Sequence, residues 1–222
     1  MSAGALRFDA AIVDLDGTLV DTLPDFAIVL ARTLDDLRLP AVSREFIGHT
    51  VGKGSEHLIR STLEAVGGDA SLYEHAWALY QQHYLAINGE HSTVYPGARE
   101  GLEGLRGRGL RLACVTNKPL AFARPLLERK ALLPLLDHVF GGDSFSRRKP
   151  DPLPLLEACK ALGTTAARTL VIGDSMNDAQ AARSAGCSVV LMRYGYNHGE
   201  PIERVDADGF IDRIDEVDPS CG

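Results

Sequence analysis

The chain has 222 residues, enough for one large domain or two modest ones with a substantial core. Hydrophobic residues make up 45% and charged residues 24%, the balance of an ordinary soluble globular protein, and the net charge of −7 argues against a nucleic-acid footprint. No apolar run reaches the length of a membrane span, and the N-terminus lacks a basic start followed by a long apolar stretch, so neither a membrane anchor nor a secretory leader is expected.

The first element is the apolar run Ala10-Ala11-Ile12-Val13, which reads as a strand buried on both faces. It runs into Asp14-Leu15-Asp16-Gly17-Thr18, two carboxylates one residue apart followed by a turn glycine and a hydroxyl. From Asp21 to Leu39 the apolar spacing is helical, and segments at about Phe46–Val66 and Ser71–Asn88 read as two further helices. No convincing strand lies between Val20 and Val94, so this interval is expected to be an all-helical insertion, a cap, after the first strand.

From Gly101 strands and helices alternate. Leu110–Val115 reads as a strand ending in Thr116-Asn117, with Pro119 opening the next helix and Pro125 expected to kink or shorten it. Asp137–Gly141 is a brief strand, and Pro154–Leu162 is a helix stopped by Gly163. Thr169–Ile172 is a strand ending in Gly173-Asp174, followed by a helix over Met176–Ala185 capped by Gly186. Ser188–Met192 and Gly209–Ile211 complete the strands, and the Pro-Ser-Cys-Gly tail is expected to fray. Such alternation implies a parallel sheet with right-handed crossovers. Cys114, Cys159, Cys187 and Cys221 form no CxxC pair and are expected as core thiols of a reducing cytoplasm.

The informative polar residues fall just past strand ends or in the loop that follows: Asp14 and Asp16, Thr116 and Asn117, Lys149, and Asp174 with Asp178. In a parallel sheet those loops converge on one edge. Crowded acids repel, by roughly 4 kcal/mol per pair at 4 Å and an effective dielectric near 20. A lysine and a divalent cation would balance them, and oxygen-only ligands without His or Cys favour Mg²⁺. A hard cation, a lysine, a threonine hydroxyl and a carboxylate nucleophile make a set suited to phosphoryl transfer. Each piece has an ordinary alternative as well. Ser175-Met176-Asn177-Asp178, for example, matches a helix capping box.

Asp14-Leu15-Asp16-Gly17-Thr18, Thr116-Asn117-Lys118, Lys149-Pro150-Asp151-Pro152 and Gly173-Asp174-Ser175-Met176-Asn177-Asp178 span most of the chain. Together, in that order, they resemble the haloacid dehalogenase superfamily, specifically its Mg²⁺-dependent phosphatases with a helical cap. Finer features, Val51-Gly52-Lys53-Gly54, Tyr95-Pro96-Gly97, Gly142-Asp143-Ser144 and Tyr194-Gly195-Tyr196-Asn197, look like the bacterial phosphoglycolate phosphatases.

The resemblance implies an α/β fold with a Rossmann-like parallel-sheet core over residues 1–20 and 95–222 and a helical cap over 21–94. It implies that Asp14 attacks phosphorus to form an aspartyl-phosphate, and that Asp16 is the acid and then the base. The metal would be held by Asp14, Asp174 and the Asp16 carbonyl. Thr116, Asn117 and Thr18 would bind the phosphate, with Lys149 neutralising charge and Asp178 supporting Lys149 or a metal-bound water. Lys53 is a candidate partner for a substrate carboxylate, although the resemblance leads one to expect an uncharged residue between those glycines. His49 and Arg60 are further possible cap contacts.

The expected reaction is Mg²⁺-dependent hydrolysis of a small phosphorylated metabolite, foremost 2-phosphoglycolate, by a cytoplasmic monomer or homodimer without nucleic-acid or membrane partners. Other sugar-phosphate or nucleotide phosphatases remain open, and so does a β-phosphoglucomutase-like phosphosugar mutase, which would keep every core residue. A haloalkanoic acid dehalogenase would not need Asp16, and a phosphonate-cleaving relative would lack an acid there. A non-catalytic binding module would be expected to lose one of the four residues Asp14, Asp16, Lys149 and Asp174.

Overall fold

In a computed structural model, residues 7–220 are described. Cys221 and the last residue of the tail lie outside that range. A six-stranded parallel sheet forms the centre, in the order β5-β4-β1-β6-β7-β8. Its strands are β1 (Ala10–Val13), β4 (Arg111–Val115), β5 (His138–Phe140), β6 (Thr169–Gly173), β7 (Ser188–Met192) and β8 (Gly209–Ile211).

The first strand is apolar throughout because it lies in the middle of the sheet and is covered on both sides. Its side chains alternate: Ala11 and Val13 join Leu112, Cys114, Leu170 and Ile172 beneath α5 (Ala98–Gly107) and α6 (Leu120–Arg129). Ala10 and Ile12 join Ala113, Val115 and Val171 on the other face, beneath α7 (Leu153–Ala161) and α8 (Met176–Ala185). Cys114, Cys159 and Cys187 are buried free thiols within these layers.

Between the first and second sheet strands in the chain lie α1 (Leu23–Asp36), α2 (Arg44–Thr50), α3 (Ser55–Ala65) and α4 (Tyr73–Ile87), with their own apolar cluster built around Phe26, Leu30, Leu58, Tyr80 and Tyr84. Phe122 of α6 and Tyr196 of the loop after β7 reach into that cluster, so the helical layer rests on the sheet's carboxyl end.

Four expectations are corrected. The segment at about Phe46–Val66 is two helices, broken at Val51-Gly52-Lys53-Gly54, where Gly52 (φ 99°) and Gly54 (φ 93°) take left-handed conformations that no α-helix continues through. The first helix starts at Leu23, because Val20–Asp21 (β2) pairs antiparallel with Thr93–Val94 (β3), a two-residue ladder at the entry and exit of the helical layer. Pro119 is the residue before α6 rather than its first. Pro125 neither stops nor shortens α6 short of Arg129. Pro125 and Ala121, whose carbonyl loses its donor, both face outward, where solvent can replace the missing bond.

Among the described residues no helix is long and apolar enough to cross a membrane.

Candidate active site

Register brings the polar residues together. Val13 lies level with Cys114 on one side and Ile172 on the other, so Asp14 emerges beside Val115 and Gly173 at the same sheet edge. The Asp14 amide still donates to the Ile172 carbonyl at 2.9 Å and that of Thr116 to Phe140 at 3.0 Å. Both residues are therefore held by the last ladder bonds of their strands rather than by free loops.

Lys149 is the hub. Its buried ammonium contacts Asp14 Oδ1 at 2.9 Å and donates to Asp178 Oδ1 and the Val115 carbonyl at 2.7 Å each. Burial pushes this amine toward neutrality, but the Asp14 and Asp178 carboxylates outweigh it and hold its pKa above the usual lysine value. Asp14 keeps 11% of its side chain exposed, an edge turned to the cavity above it. Burial raises its carboxyl to about 7; Lys149 opposes the rise and the Asp178 charge adds to it.

Asp178 fulfils both readings of its position. One oxygen accepts from Lys149, and the other closes the capping box by accepting from the Ser175 amide and hydroxyl at 3.2 and 2.7 Å. The helix start and the lysine support are one device.

Asp174 is 2% exposed and accepts from the Thr18 hydroxyl and the Tyr196 amide, each at 2.6 Å. This corrects the placement expected for Thr18: it is fully buried behind Asp174, and its hydroxyl donates there rather than toward a substrate. Gly17 and Gly195 must be glycines for a related reason, since a Cβ on either would lie 2.2 or 2.4 Å from Asp174 Oδ2. Burial, reinforced by Asp178 and Asp14, raises the Asp174 carboxyl well above its ordinary value.

Oxygens of Asp14, Asp174 and Asp178 lie within 4.8 Å of one another. Across the site, the carboxylates of Asp14, Asp16, Asp174 and Asp178 face the ammoniums of Lys118 and Lys149. When all ionise, the acids exceed the lysines by two charges, the deficit a divalent cation would neutralise. The residues present fit a hard, oxygen-ligated ion.

Sequence reasoning gave Lys118 no role. Its Nζ lies 2.9 and 3.2 Å from the two oxygens of Asp16, and the pair is nearly sealed from solvent. The only sequence signal was its place in the turn holding Thr116 and Asn117, and a single lysine in a loop is by default solvated. Asn117 donates from its side-chain amide to the Gly52 carbonyl at 2.9 Å and the Lys149 carbonyl at 2.8 Å, fastening the 51–54 loop to the core.

Gly52 and Gly54 line the cavity over Asp14, and Lys53 between them does not. Its charge acts instead on His57 and His198, both depressed in pKa first by burial and then by Lys53. Arg60 is a surface residue paired with Glu56 and stacked on Tyr73, and His49 packs against Gly199. That cavity measures about 20 Å³ and is walled by Asp14, Asp16, Lys118, Phe26, Val51 and Leu58 among others.

A carboxylate held by a buried lysine, a second acid on its own lysine, and a three-acid pocket at one sheet edge make a site suited to phosphohydrolase chemistry. The sequence model of the haloacid dehalogenase-like hydrolase family matches residues 8–186, and the chain belongs to that family. It is 40% identical over 220 residues to a phosphoglycolate phosphatase of Thiobacillus denitrificans, covering 98% of this chain and 97% of the relative. A phosphoglycolate phosphatase of Nitrosospira multiformis is 42% identical over 215 residues, covering 96% and 95%. In three dimensions the chain is similar to the crystal structure of a predicted phosphoglycolate phosphatase from Haemophilus somnus 129PT. That likeness has a TM-score of 0.91 and 32% identity over 96% of this chain and 97% of the other.

Proposed function

We propose that the chain hydrolyses small phosphomonoesters, with 2-phosphoglycolate as the main substrate, through an aspartyl-phosphate on Asp14. Mg²⁺ would be held by Asp14, Asp174 and the Asp16 carbonyl, and when bound it would offset the charge between an incoming phosphate and the acid cluster. The observation that carries the reading is Asp14 itself. It lines the cavity, is the most exposed of the four acids, and is held by Lys149.

In this reading Asp14 attacks phosphorus while Lys149 steadies the carboxylate and the transferred oxygens. Asp16 gives a proton to the leaving alkoxide and later takes one from the attacking water. Thr116 and the Asn117 backbone hold phosphoryl oxygens. The helical segment 21–94 acts as the cap. It encloses a cavity of about 20 Å³ over Asp14 and would lift for substrate entry.

Three of the side chains over the cavity, Phe26, Val51 and Leu58, are apolar and offer no partners to sugar hydroxyls, which supports a short ester over a hexose phosphate, and so a phosphatase over a phosphosugar mutase. Lys53, beside the cavity with His57 and His198, would draw an anionic substrate to the opened cleft. The buried free thiols fit a cytoplasmic setting.

The test is phosphate release from 2-phosphoglycolate, hexose phosphates and nucleoside monophosphates, with and without Mg²⁺. Preference for 2-phosphoglycolate, lost with EDTA, is the expected result. A flat or sugar-favouring profile contradicts the substrate assignment.

A further inference from the structure

Lys118 sits at the boundary of the two layers. Its ammonium faces both Asp16 oxygens on the core side, at 2.9 and 3.2 Å. On the other side it lies 4.4 Å from the centre of the Phe26 ring and 4.7 Å from that of Tyr84. Phe26 belongs to α1 and Tyr84 to α4, so both aromatic walls come from the helical layer, whereas the ion pair belongs wholly to the core. The ring faces offer the cation electrostatic attraction without a competing hydrogen-bond acceptor. Asp16 is thus left as the side chain that Lys118 grips.

We propose that Lys118 is a positioning residue for Asp16, gripping its carboxylate from between the cap rings Phe26 and Tyr84 so that Asp16 serves as the base when the aspartyl-phosphate is hydrolysed. The inference rests on the acid–base role proposed above for Asp16. In that half-reaction a water oxygen bonds to phosphorus and the Asp14 oxygen–phosphorus bond breaks. The electron pair returns to Asp14, and the proton of the water passes to Asp16.

A paired, oriented carboxylate is the form this step requires. With an ester whose leaving group departs without protonation, the first half-reaction makes no such demand. Lifting the helical layer would take both rings away, return the ammonium to water and loosen the grip. Completion of the base is thereby tied to closure over the phosphoenzyme.

The experiment uses the full chain with Mg²⁺ and 4-nitrophenyl phosphate, whose leaving group departs without protonation. Lys118→Met is expected to lower kcat by about 10²-fold, within the usual contribution of a positioned base, while kcat/KM stays within about threefold. Rapid mixing should then show a burst of one nitrophenolate per enzyme before the slow steady state. Tyr84→Leu, which removes one wall and leaves the ion pair, should move kcat the same way to a smaller extent. A parallel fall of kcat and kcat/KM, or no fall in either, overturns the proposal; unchanged kcat in Tyr84→Leu overturns the part played by the rings.

Asp16→Asn run alongside separates the two readings. A burst in Asp16→Asn with none in Lys118→Met refutes the positioning role alone. Absence of any phosphoenzyme in Asp16→Asn and the unmodified protein refutes the phosphatase reading beneath it.

Discussion

Asp14, Asp16, Lys149, Asp174 and Asp178 were legible as a group because each follows a strand, sits in the loop after one or, for Asp178, lies in the first turn of the helix that follows. What one strand end cannot reveal is the partner of each charge. Thr18 reads as a substrate contact beside Asp16, yet burial turns its hydroxyl to Asp174. Lys118 carries no signal beyond its place in the Thr116-Asn117-Lys118 motif, yet the helical layer closes over it.

Two predictions belong at this scale. Mg²⁺ should raise the melting temperature of the protein, by the equivalent of about 2.7 kcal/mol at a hundred times its Kd, because it relieves the repulsion among Asp14, Asp174 and Asp178. Asp174→Asn should abolish that rise in a thermal-shift titration. Gly17→Ala should cost roughly 1–3 kcal/mol and weaken Mg²⁺ binding as well. Its Cβ would need a left-handed backbone (φ 84°) and would collide with Asp174 Oδ2. A urea melt together with a Mg²⁺ titration checks both effects.

Among the elements, the sheet strands were the most readable, since apolar runs of four or five residues in a covered sheet leave little alternative. The two-residue ladder β2–β3 is too short to leave a pattern, and the apolar spacing of α2 and α3 runs across the break at Gly52 and Gly54. The ladder's neighbourhood also holds a buried acid that sequence alone could not place. Asp25, near the start of α1, accepts from the amides of Gly89 and His91 at 2.8 Å each, and from the Ser92 hydroxyl. It ties the first turn of the helical layer to its exit. Asp25→Ala leaves those three donors without their acceptor and should lower stability by about 3 kcal/mol, measured by denaturant unfolding. Residual kcat per folded molecule should fall less than with any change at Asp14, since Asp25 contacts none of the site acids.

For the whole molecule, the alternation of strands and helices predicted a parallel sheet, and six parallel strands with helices on both faces bear this out. How tightly the helical layer would seat was not legible, because it depends on contacts between residues far apart in sequence, such as the Asn117 amide on the Gly52 carbonyl and Phe122 beneath Tyr84. That seating sets the apolar side chains Phe26, Val51 and Leu58 over Asp14 and is the reason for expecting a short ester to be favoured over a hydroxyl-rich one. Enlarging the wall with Leu58→Ala should narrow the gap in kcat/KM between 2-phosphoglycolate and a hexose phosphate, read from the same phosphate-release assay.

The central claim is that Asp14 carries the phosphoryl group. It is tested most directly by acid-quenching the Mg²⁺-loaded protein during turnover of 2-phosphoglycolate and mapping the modified peptide by mass spectrometry. The account predicts one phosphoryl group on the peptide containing Asp14, absent in Asp14→Asn, whose turnover should fall by about 10³-fold or more. Undiminished turnover in Asp14→Asn, or a phosphoryl group trapped on another residue, would contradict it.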